Sequence, residues 1–472
     1  MDRLNLFLNS LKGKNIHLIG ASGSEGSSLL DLLVSSKISA VTAHDFVQKE
    51  QLEKNYKLWH KGLSVHERNK LFTEFEKNLE RVEFHDRDSY LEGIQKADIV
   101  FVPQSWRLYL QNKPLFDLKN KNIPFYSLMR LYLDYSKAKI IAVTGTVGKG
   151  SVAYLIYQIL NRAGKSVYFT GNETWTRQLA GQLREMTASD YLVLEVSHRQ
   201  VLDGFSRSPD TVVFTNLYSN HLDEISWQEY CRIKLSLIKN QTYGQIAVIN
   251  YDNDLLRKET KDLKSRVIYY SAKHPELNIK AIQNIYSLLL KTKSNHYMEN
   301  ILAASTVSLL QNIPIVFLTK IIDGLPALPA RLEKMASVNG TNIYDDIKST
   351  TPWSTLAALD KLTGNTVLIM GGETKGITYN ALVKKLIDKK IKTIVLDSSL
   401  SRELSEKYPH LRITISSNLE NAVNLGLNLA QKQDNLLISP AGSNFYSYFI
   451  KGKKSIRKII TSLLPKEPVA GA

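Results

Sequence analysis

The sequence predicts an α/β fold in three domains, and three observations carry that expectation. Short β-branched runs recur along the chain, each followed by a segment of helical period, the pattern of parallel sheets covered on both faces. Two seams interrupt it: a polar stretch at 136–139, and residues 324–329, where Pro326 and Pro329 restrict the backbone. The 472 residues leave room for two to four domains at roughly 100–200 residues each. With 43% hydrophobic and 22% charged residues the chain is neither disordered nor collagen-like. The single cysteine, Cys231, excludes a disulfide framework and any multi-cysteine metal site, and suits the cytoplasm.

Taken in order, strands are expected at 16–19, 99–102, 140–143, 191–196, 211–214, 246–249, 367–370, 393–396 and 436–438. The first opens into Gly20-Ala21-Ser22-Gly23-Ser24-Glu25-Gly26, a glycine pattern equally consistent with dinucleotide binding or close helix packing. The strand at 140–143 opens into Thr144-Gly145-Thr146-Val147-Gly148-Lys149-Gly150-Ser151, followed by a helical run at 152–160. Glycines there let backbone N–H groups converge on phosphate oxygens, and the helix start adds a favourable dipole. Lys149 supplies a mobile cation for β/γ-phosphates, and Ser151 can offer its hydroxyl to Mg2+. Glu195 closes the strand at 191–196, where ligands bind in open α/β sheets. His221 follows in Tyr218-Ser219-Asn220-His221-Leu222-Asp223. Alone it would be an ordinary surface histidine, but carboxylate, imidazole and phosphate oxygens together can hold Mg2+. Lys234 reads by default as a solvated helix lysine, and Asn300 as a helix cap. The apolar stretch 301–318 is interrupted by Gln311, Asn312 and Pro314, so a helix and a short turn are expected there instead of a membrane span.

The shortened loop Thr144-Gly145-Thr146-x-Gly148-Lys149 resembles the Mur ligase superfamily, ATP-dependent enzymes that form amide bonds and include folylpolyglutamate synthases. The resemblance implies a Rossmann-like N-terminal domain at 1–138 for a UDP substrate. It implies a central P-loop ATPase-like parallel sheet at 139–327 for ATP, and a Rossmann-like α/β domain at 328–472 for an amino acid. Gly145, Thr146, Gly148, Lys149, Gly150 and Ser151 would cradle ATP, while Asn300 would meet adenine and Arg331 a phosphate. Ser151, Glu195, His221 and a carbamylated Lys234 would hold Mg2+. Asp346-Ile347-Lys348-Ser349-Thr350 and Gly371-Gly372-Glu373-Thr374-Lys375 resemble motifs of the branch that adds D-glutamate. Asp346 would bind ribose or position Lys348, Thr350 would touch the amino acid, and Lys375 would pair with its carboxylate. Asn444 and Phe445 would line the same pocket, and Ser24, Glu25 and Asp45 would border uridine. By this resemblance Lys149, His221, Lys234 and Lys348 carry the catalysis.

The implied reaction joins D-glutamate to UDP-N-acetylmuramoyl-L-alanine in a cytoplasmic, monomeric enzyme of peptidoglycan precursor synthesis. A folylpolyglutamate synthase-like ligase and a nucleotide-binding scaffold without catalysis are the alternatives. The formal charge of +16 comes from scattered lysines with no basic stripe interleaved with aromatics, so no nucleic-acid partner is expected. The cluster Lys451, Lys453, Lys454, Arg457 and Lys458 reads as a solvated helix face.

Overall fold

The computed structural model describes residues 2–60, 62–172, 177–290, 298–323 and 330–445, with positions 459 and 462. The seam at 324–329 and the cluster at 451–458 lie outside the described residues. The chain falls into two compact units, one of Met1–Leu217 and Cys231–Gly324, the other of Tyr218–Tyr230 and Leu325–Ala472.

The first unit holds two parallel sheets. Strands β1 (Ile16–Ile19), β2 (Val41–His44), β3 (Glu83–His85), β4 (Ile99–Phe101) and β5 (Phe125–Tyr126) lie in the order β3-β2-β1-β4-β5. The winding reverses between β1 and β4, which opens a ligand crevice at their carboxyl ends. The second sheet holds β6 (Lys139–Thr144), β7 (Val167–Gly171), β8 (Tyr191–Glu195), β9 (Thr211–Phe214), β10 (Ile246–Asn250) and β11 (Arg266–Tyr270), in the order β11-β10-β9-β6-β8-β7. Its central strands are buried on both faces, hence their unbroken apolar lettering. The helix Lys149–Arg162 buries Val152, Ile156, Ile159 and Leu160 against this sheet, and the helix Met298–Leu310 packs on it. The latter buries every residue from Ile301 to Ser308, while Glu299 in its first turn is exposed. It ends in a turn before a second helix, Ile315–Asp323, and no described helix is long and apolar enough to cross a membrane.

An ion cluster centred on a buried acid fastens the two sheets within this unit. Asp203, whose side chain is fully enclosed, takes both prongs of Arg107 at 2.6 and 3.0 Å. It also accepts Lys119 at 3.1 Å and the Trp106 indole N–H at 3.1 Å. Burial pushes its pKa up, but the Arg107 and Lys119 charges outweigh that and hold it below the ordinary value.

The second unit holds β12 (Glu333–Val338), β13 (Thr341–Asp345), β14 (Thr366–Gly371), β15 (Lys392–Leu396), β16 (Ile413–Ser416) and β17 (Asn435–Ala441), in the order β12-β13-β17-β14-β15-β16. Alternate residues feed opposite cores: Val367 and Ile369 pack with Leu419 and Val423, Leu368 and Met370 with Leu382 and Leu386. The sheet is mixed, because β12 runs antiparallel to β13. Asn339 and Gly340, at φ +50° and +83°, make the two-residue turn that only antiparallel strands can share.

Candidate active site

The phosphate loop leaves β6 at Gly145, whose φ is +139°. A Cβ there would lie 2.1 Å from Thr215 Oγ1 and 2.9 Å from the Asn216 carbonyl, so no other residue fits. The loop is pegged from β9. Asn216 accepts the Val147 N–H on Oδ1 at 2.8 Å and donates to the Val147 carbonyl at 3.0 Å. The Thr215 hydroxyl reaches that carbonyl at 2.6 Å, and Asn250 donates to the Thr215 carbonyl at 2.9 Å. Sequence reasoning missed this peg; its only trace is a Thr-Asn pair directly after a buried strand.

Around the loop the first unit gathers several expected residues. Lys149 is half-buried with its Nζ on the Thr146 carbonyl at 3.0 Å. Gly150 and Ser151 are buried in the first helical turn. Asn300 Oδ1 lies 2.9 Å from where a Cβ of Gly148 would stand, so the amide faces the loop. Lys234 is 2% exposed and donates to the Gly145 carbonyl at 2.8 Å and to Thr144 Oγ1 at 3.3 Å. It is no solvated helix lysine. Burial drives its pKa well down, the Lys149 charge adds to that, and Glu195 opposes it. A neutral amine is the form that can add carbon dioxide, the chemistry carbamylation requires.

Glu195 is buried at the end of β8, opposite Val143 in β6, and accepts the Asn172 side-chain N–H at 3.2 Å. Asn172 is a further residue the sequence reading missed. A hydroxyl and a carboxylate beside a phosphate loop are hard oxygen donors, a set that fits hydrated Mg2+.

In the second unit, His221 sits at φ +57° with Nδ1 2.9 Å from Glu224 Oε1. Its segment is tied down by the Leu222 N–H on the Lys375 carbonyl at 3.0 Å and by Tyr218 stacked on Trp353 at 5.3 Å. Asp346 is 4% exposed, accepting Ser439 Oγ at 2.7 Å and the Leu332 N–H at 3.0 Å. Burial pushes its pKa up to about 6 against those bonds. The Lys348 N–H donates to the Ala330 carbonyl at 3.2 Å, and the Thr350 N–H to the Lys348 carbonyl at 3.1 Å. Arg331, Asp346, Lys348 and Thr350 therefore share one loop system. Asn444 is exposed and donates to Glu373 Oε2 at 2.6 Å. The Phe445 ring is 2% exposed inside a core cluster, which leaves its backbone, not its ring, for a substrate.

The first sheet departs most from expectation. Asp45 is 1% exposed, and its carboxylate accepts the Ser22 N–H at 2.8 Å, the Ser22 hydroxyl at 2.7 Å and the Val47 N–H at 3.3 Å. Glu25 is 5% exposed and accepts the Gln104 N–H at 2.6 Å. Both carboxylates serve the loops themselves, because sealed acids must find donors inside the protein. Ser24, partly exposed, lines a cavity with Ser27, Asp31 and Arg177.

Residues 143–310 match the Mur ligase middle domain, and residues 330–442 match the Mur ligase glutamate ligase domain. A UDP-N-acetylmuramoylalanine–D-glutamate ligase of Clostridium kluyveri is 30% identical over 379 residues, covering 76% of this chain and 81% of that one. The chain belongs to the Mur ligase family. A relative of the same name from Clostridium acetobutylicum is 27% identical, covering 97% of this Mur ligase and 99% of that chain. Among solved structures, a pseudomurein peptide ligase type C from Methanothermus fervidus has a TM-score of 0.54 at 17% identity, covering 96% of this chain and 100% of its own. The MurF ligase of Thermotoga maritima in complex with ADP has a TM-score of 0.53 at 15% identity, covering 98% and 100%. These two share the fold. As a Mur ligase, the protein is an ATP-dependent ligase.

Proposed function

We propose that this Mur ligase joins D-glutamate to UDP-N-acetylmuramoyl-L-alanine, cleaving ATP to ADP and phosphate, as a cytoplasmic monomer with modules at 1–138, 139–327 and 328–472. The observation that carries the reading is the turn Asp346-x-Lys348-x-Thr350, which lies in the part of the chain matching the glutamate ligase domain. Relatives named for this activity over nearly the whole chain support it.

The alanyl carboxylate attacks the γ-phosphorus, the bond to the β-phosphate oxygen breaks, and ADP leaves an acyl phosphate. Lys149 and the loop N–H groups hold the phosphates in line while charge moves onto the leaving oxygens. Mg2+ supplies further charge neutralisation there when bound by Ser151, Glu195 and a carbamylated Lys234. His221 is proposed as a further ligand on its motif alone. Asn300 takes adenine and Arg331 a phosphate, and Asp346, sealed and bonded to Ser439 and Leu332, positions the loop that carries Lys348. Lys348, Thr350, Lys375, Asn444 and the backbone of Phe445 seat D-glutamate. Its amine then attacks the acyl carbonyl, loses a proton, and expels phosphate.

The test is a phosphate-release panel with ATP, UDP-N-acetylmuramoyl-L-alanine and single amino acids. Release confined to D-glutamate is expected. Release with a folate and L-glutamate would overturn the substrate assignment, and nucleotide binding without any release would overturn catalysis.

A further inference from the structure

The crevice between β1 and β4 contains a closed ring of hydrogen bonds, built on the buried residues Glu25 and Gln200 and the half-buried Gln104 and Ser197, that the reaction above does not use. Glu25, in the first turn of the helix Ser24–Ser35, accepts the Gln104 N–H at 2.6 Å and a bond from the Gln200 side chain. Gln104, after β4, accepts the Ser197 hydroxyl on Oε1 at 2.9 Å. The Ser197 N–H donates to Gln200 Oε1 at 2.9 Å, which closes the ring. Ser127, after β5, adds a bond to the Gln200 carbonyl at 3.4 Å. The ring thus joins two loops of the first sheet to the turn that begins two residues after Glu195.

The geometry points to a positioning role for Glu25: it fixes the turn beyond Glu195 to the loops of the first sheet, and does not itself touch the nucleotide sugar. A sealed carboxylate is costly, and burial pushes this one up to about 7. An acceptor that satisfies two donors from different loops returns geometric definition for that cost, since a shift of either loop strands a buried polar group. Gly26 adds to the constraint, because a Cβ there would fall 2.0 Å from the Gly20 carbonyl.

This inference rests on the proposed reaction for its kinetic arm, while its exchange arm stands apart from it. Four variants suffice: Glu25→Ala, Glu25→Gln, Ser197→Ala and the double Glu25→Ala/Ser197→Ala. Calorimetric binding of UDP alone should change less than about twofold in Glu25→Ala, while kcat for phosphate release falls about tenfold or more. The double variant should be no slower than Glu25→Ala, because members of one ring do not add. Glu25→Gln, which keeps an acceptor, should recover kcat to within about threefold. Amide exchange at Gln104 and Ser197 should quicken in Glu25→Ala whether or not the panel finds turnover. Tenfold weaker UDP binding with kcat unchanged would make Glu25 a ligand contact and overturn the inference. So would strictly additive variants, or exchange at Gln104 and Ser197 that stays at the wild-type rate. A wild type that turns over no substrate defeats the reaction assignment and leaves the exchange result to decide this one.

Discussion

His17, His44 and His85 stand on three neighbouring strands of the first sheet, stacked with ring centroids 5.1 and 5.4 Å apart. His17 Nδ1 and His44 Nε2 are 2.8 Å apart, and His44 Nδ1 is buried without a hydrogen-bond partner. Hydrogen-bond accounting therefore puts the His44 proton on Nε2, donating to His17, since a buried bare lone pair costs less than a buried N–H. Burial lowers His17 from 6.5 to about 4 and His44 to about 3. Through these two rings the folded state binds fewer protons than the unfolded chain below pH 6.5, so their share of the stability falls as pH drops from there towards 4. Glu25 and Asp346, raised by burial, gain protons on folding and act in the opposite direction. The urea midpoint of the double variant His17→Leu/His44→Leu should therefore rise relative to that of the wild type between pH 7.5 and 5, and a difference that stays constant with pH would show that the two rings do not carry this linkage. At the phosphate loop, Lys149→Ala should cut phosphate release by about 10²–10³-fold with the thermal midpoint little changed. At this scale the sequence discloses Lys149 and Gly145 because a phosphate loop admits few other residues. It conceals the Asn216 peg and the burial of Lys234 because both contacts span about 70–90 positions. Glu25 and Asp45 mislead for a related reason, since letters alone do not distinguish a carboxylate facing a ligand from one bonded to its own loop.

Among the elements, the strands of the second sheet are the most legible, because burial on both faces leaves long apolar runs such as β6 and β8. Short or half-exposed strands carry no such mark: β3 is three residues and β5 two, and neither is expected from sequence. The β12–β13 hairpin was readable in Asn339-Gly340, yet the surrounding alternation of strand and helix favours parallel neighbours. Gly340→Val should destabilise the second unit by about 1–3 kcal/mol, since a branched residue pays for a left-handed φ. Circular dichroism melts should show the loss. Asp203→Asn, which leaves the part-exposed Arg107 and Lys119 without their shared anion, should cost about 1–3 kcal/mol and lower the thermal midpoint by a few degrees. A midpoint equal to wild type would mean that the ion cluster contributes no net stability.

For the whole molecule, three α/β modules follow from the sequence because each repeats the same strand-and-helix grammar, while the interruption of the first unit by Tyr218–Tyr230 does not. That segment lies between β9 and β10 in sequence but packs with the glutamate ligase domain. The charge of +16 is also a whole-chain property. Attraction for polyanionic substrates should weaken with salt, so the KM for ATP should rise several-fold between about 50 and 300 mM KCl while kcat changes less. The last strand among the described residues, β17, lies in the middle of its sheet, between β13 and β14. A nascent polypeptide emerging from the ribosome must therefore hold five strands with a gap at their centre until residue 441 is made. Products truncated before that point keep two unpaired edges facing each other and should be cut faster than the full chain in limited proteolysis.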